Sequence, residues 1–364
     1  MENKSKYFYN PVEIIFSEDF IQSLKSLGEY ENWMVVTSKG FVSRGTIGKI
    51  QESLNAKNLL VFDKCLPNPE LEDLDNWIDS FSETKLEGII ALGGGSVIDT
   101  AKALSICLKS ENSRPLYNYF MNNDPLDWNS RLPLYAIPTT SGTGSEVTPY
   151  ATIWDTKNSK KFSLSNNAVF PDIAILDPNL TISLDYEVTL YSALDAISHC
   201  LDSIWNVNSN FFTKLYAESS LDLSQRALQE VLNEPANHKN REKLQKASLL
   251  AGLSISNSQT AIAHSISYPI TTMYGVPHGL ACSFTLPSII EHYLNVRADK
   301  DEYELLNRTQ KYLNELNLKE KIRKYVSQKQ ILELQDQMFH PDRSKNFCVS
   351  LDEYSLEKIL ISSS

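Results

Sequence analysis

The sequence predicts an α/β domain over residues 1–180 followed by an all-helical domain over residues 181–364. Three observations predict it. The chain has 364 residues, enough for two domains at roughly 150 residues each. Short β-branched runs alternate with amphipathic segments as far as Asp177, the pattern of parallel βαβ units. Beyond about Asp185 those runs nearly vanish, and apolar residues recur at spacings of three and four.

In chain order, strands are expected at 33–37 (WMVVT), 58–63 (NLLVFD), 88–92 (GIIAL), 134–137 and 173–177 (IAILD). Each is a nearly continuous apolar run, as strands covered on both faces require. Helical patterns fill 41–54, 70–80 and 97–108. Residues 151–165 interrupt the alternation with two strand-like runs around DTKNSK, which predicts a hairpin. In the second half, Phe211, Phe212, Leu215, Leu228, Val231 and Leu232 form one stripe and Leu244, Ala247, Leu250 and Ala251 another. Both are expected to be helix-bundle core.

Composition narrows the function. Apolar residues make up 42% and charged residues 22%, as in ordinary globular proteins. Lys and Arg total 34 against 45 Asp and Glu, a net charge of −11 that lacks the basic footprint of a nucleic-acid binder. No apolar stretch of about 18 residues predicts a membrane span, and acidic residues in the first twenty argue against a secretory leader. Cys65, Cys107, Cys200, Cys282 and Cys348 are odd in number and form no CxxC pair, so they read as reduced thiols of a cytoplasmic protein.

Two polar loops follow expected strands. Gly93-Gly94-Gly95-Ser96 joins the 88–92 run to a helix, an arrangement that offers backbone N–H groups and a positive helix end to phosphate. A plain tight turn is the competing reading. Asp99 and Lys102 follow it, the first suited to stabilising the helix start and the second to a solvated face. The stretch Pro138–Glu146 (PTTSGTGSE) carries several hydroxyls at another strand's C-terminal end, where open α/β sheets bind ligands. Together the loops favour a dinucleotide over either loop alone.

The helical half holds a different chemistry. Asp195 and His199 stand at i and i+4 and so project from one helix face, while His264 and His278 lie in a segment of small and apolar residues. One carboxylate and three imidazoles without thiolate suit Fe²⁺ or Zn²⁺. Spacing alone leaves open that these histidines are separate core or surface residues.

GGGSVIDTAK, PTTSGTGSEVTP, LDAISH at 194–199 and His264 with His278-Gly279 occur in this order, and the chain resembles the iron-containing alcohol dehydrogenases. The resemblance spans roughly residues 8–360. It implies a dehydroquinate-synthase-like fold, with a dinucleotide-binding α/β domain and an all-α metal domain, commonly in a homodimer or larger assembly. It implies metal ligands Asp195, His199, His264 and His278. It also implies a coenzyme resting on Gly93, Gly94, Gly95, Ser96, Thr139, Thr140 and Thr143, with Asp99 and Lys161 nearby. Many members carry a proton-relay histidine four residues after the third ligand, where this chain has Tyr268, so the resemblance implies a relay through that phenol and water, with a packed tyrosine as the competing reading. Many carry an acid after the first strand to accept the adenosine ribose hydroxyls, where this chain has Ser38 followed by Lys39. Loss of that carboxylate and gain of a lysine predict NADPH over NADH.

Several stretches, TPYATIWD at 148–155, KKFSL at 160–164, DSIWNVN at 202–208 and HSISYPI at 264–270, resemble the phosphonoacetaldehyde reductases within that family. The implied substrate is a small phosphonate aldehyde, for which Arg343 and Asn346, with Asn206 and Asn208, are candidate partners. Other small aldehydes or diols of the lactaldehyde or 1,3-propanediol type stay open, as does a lyase or non-catalytic relative of the same fold.

Overall fold

Among the described residues of the computed structural model, eight strands, β1 (Glu13–Phe16), β2 (Asn32–Val36), β3 (Asn58–Phe62), β4 (Gly88–Gly93), β5 (Leu134–Pro138), β6 (Tyr150–Asp155), β7 (Lys160–Ser165) and β8 (Ile173–Leu176), make two sheets. The structure describes residues 7–27, 30–158, 160–297, 300–339 and 343–364. Six strands form a parallel sheet in the order β1-β8-β5-β4-β2-β3. Every residue of β4 and β5 is buried, which is why their sequences read as unbroken apolar runs. β6 and β7 pair antiparallel as the expected hairpin.

The edge strand β1 was not expected. It has four residues, and its outer two, Glu13 and Phe16, are exposed, so its apolar run of three is too short to mark a covered strand. The 41–54 helical pattern divides into Lys39–Ser43 and Thr46–Leu54, because Gly45 between them takes the left-handed conformation at φ 71°.

The order of the sheet sets its ligand-binding edge. From β2 the chain runs outward to β3, then returns to β4 on the other side of β2. Such a reversal leaves a crevice beyond the carboxyl ends of the two strands that flank it. Those ends carry Thr37-Ser38-Lys39 and Gly93-Gly94-Gly95, and Thr37 Oγ1 donates to Leu92 O at 2.8 Å between them.

The second half is helical, with long helices Tyr186–Ile204, Phe211–Asn233, His238–Ser258 and Ile262–Tyr274. Asp185 caps the first by accepting from Val188 N, and Asn210 caps the second in a reciprocal pair with Thr213. Leu194, Ile197, Leu201, Leu228, Val231, Ile266 and Ile270 belong to one buried core. Phe211, Phe212 and Leu215, expected in that core, are instead exposed. The Phe211–Asn233 helix buries a seam of small residues, Ala217, Ser220 and Ser224, and Ser220 Oγ donates to Ala247 O at 2.7 Å. Close approach of two helices is what large residues at that seam would prevent.

The chain divides into two compact units, Asn10–Thr140 with Ser145–Ile182, and Ser183–Ser364 with Ser141–Gly144 and residues 7–9. Ser141–Gly144 belongs with the helices for a steric reason. A Cβ on Gly142 would stand 2.4 Å from Ser192 O, and one on Gly144 would stand 2.4 Å from Gly252 Cα. Among the described residues, no helix is long and apolar enough to cross a membrane.

Candidate active site

Three helices of the helical unit supply one cluster of donors. Asp195, His199 and Asp202 sit at i, i+4 and i+7 of Tyr186–Ile204 and share a face. His264 lies in the first turn of Ile262–Tyr274, and His278 opens the short helix His278–Ser283. Asp195 Oδ1 stands 3.6 Å from His199 Nε2, 3.5 Å from His264 Nε2 and 3.8 Å from His278 Nε2. Hydrogen bonds of this kind are nearer 2.9 Å. Donors held about 2.0–2.1 Å from a tetrahedral ion stand about 3.3–3.4 Å from one another. The observed spacing is close to that of coordination.

Burial strengthens the same conclusion. Asp195 and His264 are only 4% and 3% exposed, yet Asp195 Oδ1 and His264 Nε2 have no hydrogen-bond partner. Leaving two polar atoms of this kind dry and unpaired costs several kcal/mol unless something satisfies them, and a divalent cation does so at once. The electrostatics prepare the ligand states of His199 and Asp195. For His264, burial is outweighed by the pull of Cys282, Asp195 and Asp202, which raises the ring well above its usual range, so it must shed a proton to bind an ion. Burial pushes His199 down to about 4 against the pull of Asp195, so the ring is neutral at physiological pH. Burial raises Asp195, but the three imidazoles outweigh it and hold the carboxyl well below its usual range. Neutral imidazole and carboxylate are the forms a metal takes. The donor set fits a divalent ion.

Asp202 orients the cluster. Its Oδ2 accepts from His264 Nδ1 at 2.8 Å and from Ala261 N at 2.7 Å, and its Oδ1 accepts from Trp205 Nε1 at 2.9 Å. With Nδ1 engaged by a carboxylate, His264 turns Nε2 toward Asp195. Asp202→Asn keeps the size of the side chain and weakens that grip. It is expected to lower metal affinity about 10–100-fold, read by competition with a chelator; unchanged affinity would refute the orienting role.

Gly279 brings the third helix in. A Cβ there would lie 1.7 Å from Tyr191 O, so only glycine lets His278–Ser283 lie against the Tyr186–Ile204 backbone and carry His278 to Asp195. The same helix presents Cys282 one turn after His278. Its Sγ is 3.5 Å from His278 Nε2, and the donor atoms of Asp195, His264, His278 and Cys282 all lie within 4.8 Å of one another. Burial alone would raise this thiol, but the His264 and His278 imidazoles pull it down to about 6.

The α/β unit carries the candidate coenzyme loops. The Gly95–Cys107 helix begins directly after β4 with Gly94 as its cap, which has no side chain to bond the first amides. A Cβ on Gly93 would meet Val97 at 2.5 Å, so this glycine lets the helix start pack tightly. Gly94, Gly95 and Ser96 are half-buried, and Gly94 faces the Thr140 side chain. Thr139 N donates to Gly93 O at 3.0 Å, which ties the second loop to the first. Asp99 is committed internally, accepting from Ser145 Oγ at 2.6 Å and Thr152 N at 2.9 Å. Lys161 lies with Nζ 4.9 Å from the Trp154 ring centre. Ser38 and the exposed Lys39 start the helix at the end of β2, and Thr143 lies in the segment that clusters with the helices. Lys102 departs from its expected solvated position. It is fully buried, donates to Thr148 O at 2.8 Å and Tyr150 O at 2.6 Å, and is lowered by burial to about 8 despite Asp99 and Glu146.

Two family profiles cover most of the sequence. "Iron-containing alcohol dehydrogenase" matches residues 11–178, and "Fe-containing alcohol dehydrogenase family, C-terminal" matches residues 189–353. The chain belongs to the iron-containing alcohol dehydrogenases. It is therefore an oxidoreductase of the alcohol and aldehyde dehydrogenase type. Its relatives include a sulfoacetaldehyde reductase of Bilophila wadsworthia, 31% identical over 75% of this chain and 69% of the relative. Alcohol dehydrogenase 4 of Saccharomyces cerevisiae is 29% identical over 78% of this chain and 75% of the relative. A crystal structure of sulfoacetaldehyde reductase from Bifidobacterium kashiwanohense in complex with NAD⁺ superposes with a TM-score of 0.90, at 25% identity and 99% coverage of both chains.

In this iron-containing alcohol dehydrogenase the side chains of the four expected metal ligands converge, and the expected substrate partners make internal hydrogen bonds. Asn206 Nδ2 donates to Gln259 O and its Oδ1 accepts from Asn208 N, while Asn208 Nδ2 donates to Ser258 O. Asn346 is buried, with Nδ2 donating to Thr260 O at 2.9 Å. These amides tie a turn and the C-terminal segment to the loop before Ile262–Tyr274. Arg343 is engaged as well. Its Nε donates to Tyr268 OH at 3.3 Å, and Tyr268 is one turn after His264 on the same helix. Sequence reasoning missed Asp202, Cys282 and Gly279 as parts of the site. Asp202 had a usable signal, standing three residues after His199 on the ligand face.

Proposed function

We propose that this enzyme reduces phosphonoacetaldehyde to 2-hydroxyethylphosphonate with NAD(P)H at a divalent metal, Fe²⁺ or Zn²⁺. The observation that carries the metal-dependent reading is the meeting of Asp195 Oδ1 with three imidazole nitrogens at 3.5–3.8 Å. Bound there, the ion supplies Lewis acidity to a carbonyl oxygen, while NAD(P)H supplies the hydride. Asp195, His199, His264 and His278 hold the ion, and Asp202 fixes the His264 ring. Gly93–Ser96, Thr139 and Thr140 receive the coenzyme phosphates at the β4 end, with Thr143 and Lys161 as further contacts. Asp99 braces the loop from within. Ser38 and Lys39 stand beyond β2, where serine in place of an acid removes repulsion against a 2′-phosphate and the lysine adds attraction; this supports NADPH as the preferred coenzyme.

The substrate reading rests on Arg343 and Tyr268. A guanidinium offers a fork of N–H donors suited to a tetrahedral oxyanion, and the phenol beside it sits one helical turn from a metal ligand. We assign this pair to the anionic end of a two-carbon aldehyde, with the alkoxide proton coming from solvent. Sulfoacetaldehyde is the second reading, favoured by the relatives named for it, since a sulfonate presents the same oxygens with one charge fewer.

Steady-state rates with phosphonoacetaldehyde, sulfoacetaldehyde and propionaldehyde, each with NADPH and NADH, test these assignments. The highest kcat/KM is expected for phosphonoacetaldehyde with NADPH; a preference for the neutral aldehyde would refute the anionic substrate, and one for NADH would refute the coenzyme assignment. Arg343→Ala is expected to raise KM for the anionic aldehyde on the order of tenfold to a hundredfold, since charged hydrogen bonds contribute roughly 1.5–3 kcal/mol. KM for propionaldehyde should stay within about twofold on the same scale. Equal effects on both substrates would remove Arg343 from anion recognition.

A further inference from the structure

Cys282 lies against the same donors that hold the ion. Its Sγ is 3.5 Å from His278 Nε2 and 3.6 Å from His278 Nδ1. Asp195, His264, His278 and Cys282 form a four-donor group within 4.8 Å, while His199 approaches the same Asp195 oxygen at 3.6 Å. Two overlapping donor sets therefore share Asp195, His264 and His278, and differ only in whether imidazole or sulfur completes them. The unpartnered, deeply buried Asp195 Oδ1 and His264 Nε2 mark the place where both sets converge.

We propose that Cys282 is an alternative metal donor, which completes the site in place of His199 when the ion is thiophilic. The proposal rests on the metal centre proposed above. Imidazole and carboxylate serve Fe²⁺ and Zn²⁺ alike, whereas a thiolate among the donors favours the more thiophilic ions, for which Co²⁺ is a spectroscopic stand-in. On binding, the metal–sulfur bond forms as the S–H bond breaks, the proton passes to solvent and no electrons change hands. The Cys282 side chain thus widens the range of ions the centre accepts, and it places a thiolate beside the substrate position for soft metals alone.

Absorption spectroscopy of the Co²⁺-loaded enzyme tests this without reference to turnover. The wild type is expected to show visible d–d bands together with a near-ultraviolet thiolate-to-cobalt charge-transfer band. C282S is expected to keep the d–d bands and lose the charge-transfer band, and H199A to keep both. A wild-type spectrum with d–d bands and no charge-transfer band overturns the assignment of Cys282 while leaving the metal centre intact, and so does a charge-transfer band that survives C282S. Absence of all cobalt bands overturns the metal centre and the cysteine assignment together. The wild-type spectrum decides the matter even if C282S does not fold.

Discussion

Asp195→Ala is expected to leave a protein that binds less than one ion per chain and turns over at a small fraction of the wild-type rate. Asp195 is the carboxylate that all three imidazoles face, so its removal takes away the only negative charge among the four expected ligands. Lewis-acid assistance contributes several kcal/mol to such reactions, and a loss of about 4 kcal/mol is on the order of a 10³-fold fall in kcat/KM. Metal content by plasma emission, measured on the same sample as the rate, separates this effect from misfolding. Full metal occupancy together with a wild-type rate would contradict the assignment.

Gly279→Ala is expected to be equally damaging for a different reason. The added methyl would stand 1.7 Å from a backbone oxygen, Tyr191 O, which no change of side-chain rotamer can relieve. The His278–Ser283 helix must then move away from Tyr186–Ile204, and His278 moves with it. Overpacking of this kind costs about 1–3 kcal/mol or more, so a clearly lower denaturation midpoint is expected, with reduced metal affinity in the variant that does fold. Gly48→Ala is the matched control. Gly48 lies within Thr46–Leu54 and a Cβ there would meet nothing within 4 Å, so the substitution should be neutral or stabilising by about 0.4–1 kcal/mol. Equal midpoints for the two variants would refute the steric argument.

The sequence was most legible where one physical constraint acts over several residues. β4 and β5 are covered on both faces, and that alone makes GIIALG and LYAIP read as strands. The spacing of Asp195 and His199 encodes a shared helix face before any tertiary contact is known. β1 escaped because its pairing with β8 depends on the backbone of a distant strand rather than on an apolar pattern of its own. Lys102 escaped because its charge is met by the carbonyls of Thr148 and Tyr150, and backbone carbonyls have no residue type. The main-chain bonds of Asn206, Asn208 and Asn346 were invisible for the same reason, since an amide that bonds to main chain looks in the sequence like one kept for a ligand. Phe211 and Phe212 have helical spacing and no burial, because the contact between their helix and its neighbour is made through small side chains.

Asp202 has a consequence for how the enzyme is assembled. One carboxylate joins the amide at the start of Ile262–Tyr274, the Trp205 indole and the His264 ring. All three belong to the polypeptide, so the aim of His264 is established during folding and does not wait for a cation. Loading is then a late and local event, and material stripped by a chelator should regain its ion by simple mixing, with no cycle of denaturation and renaturation.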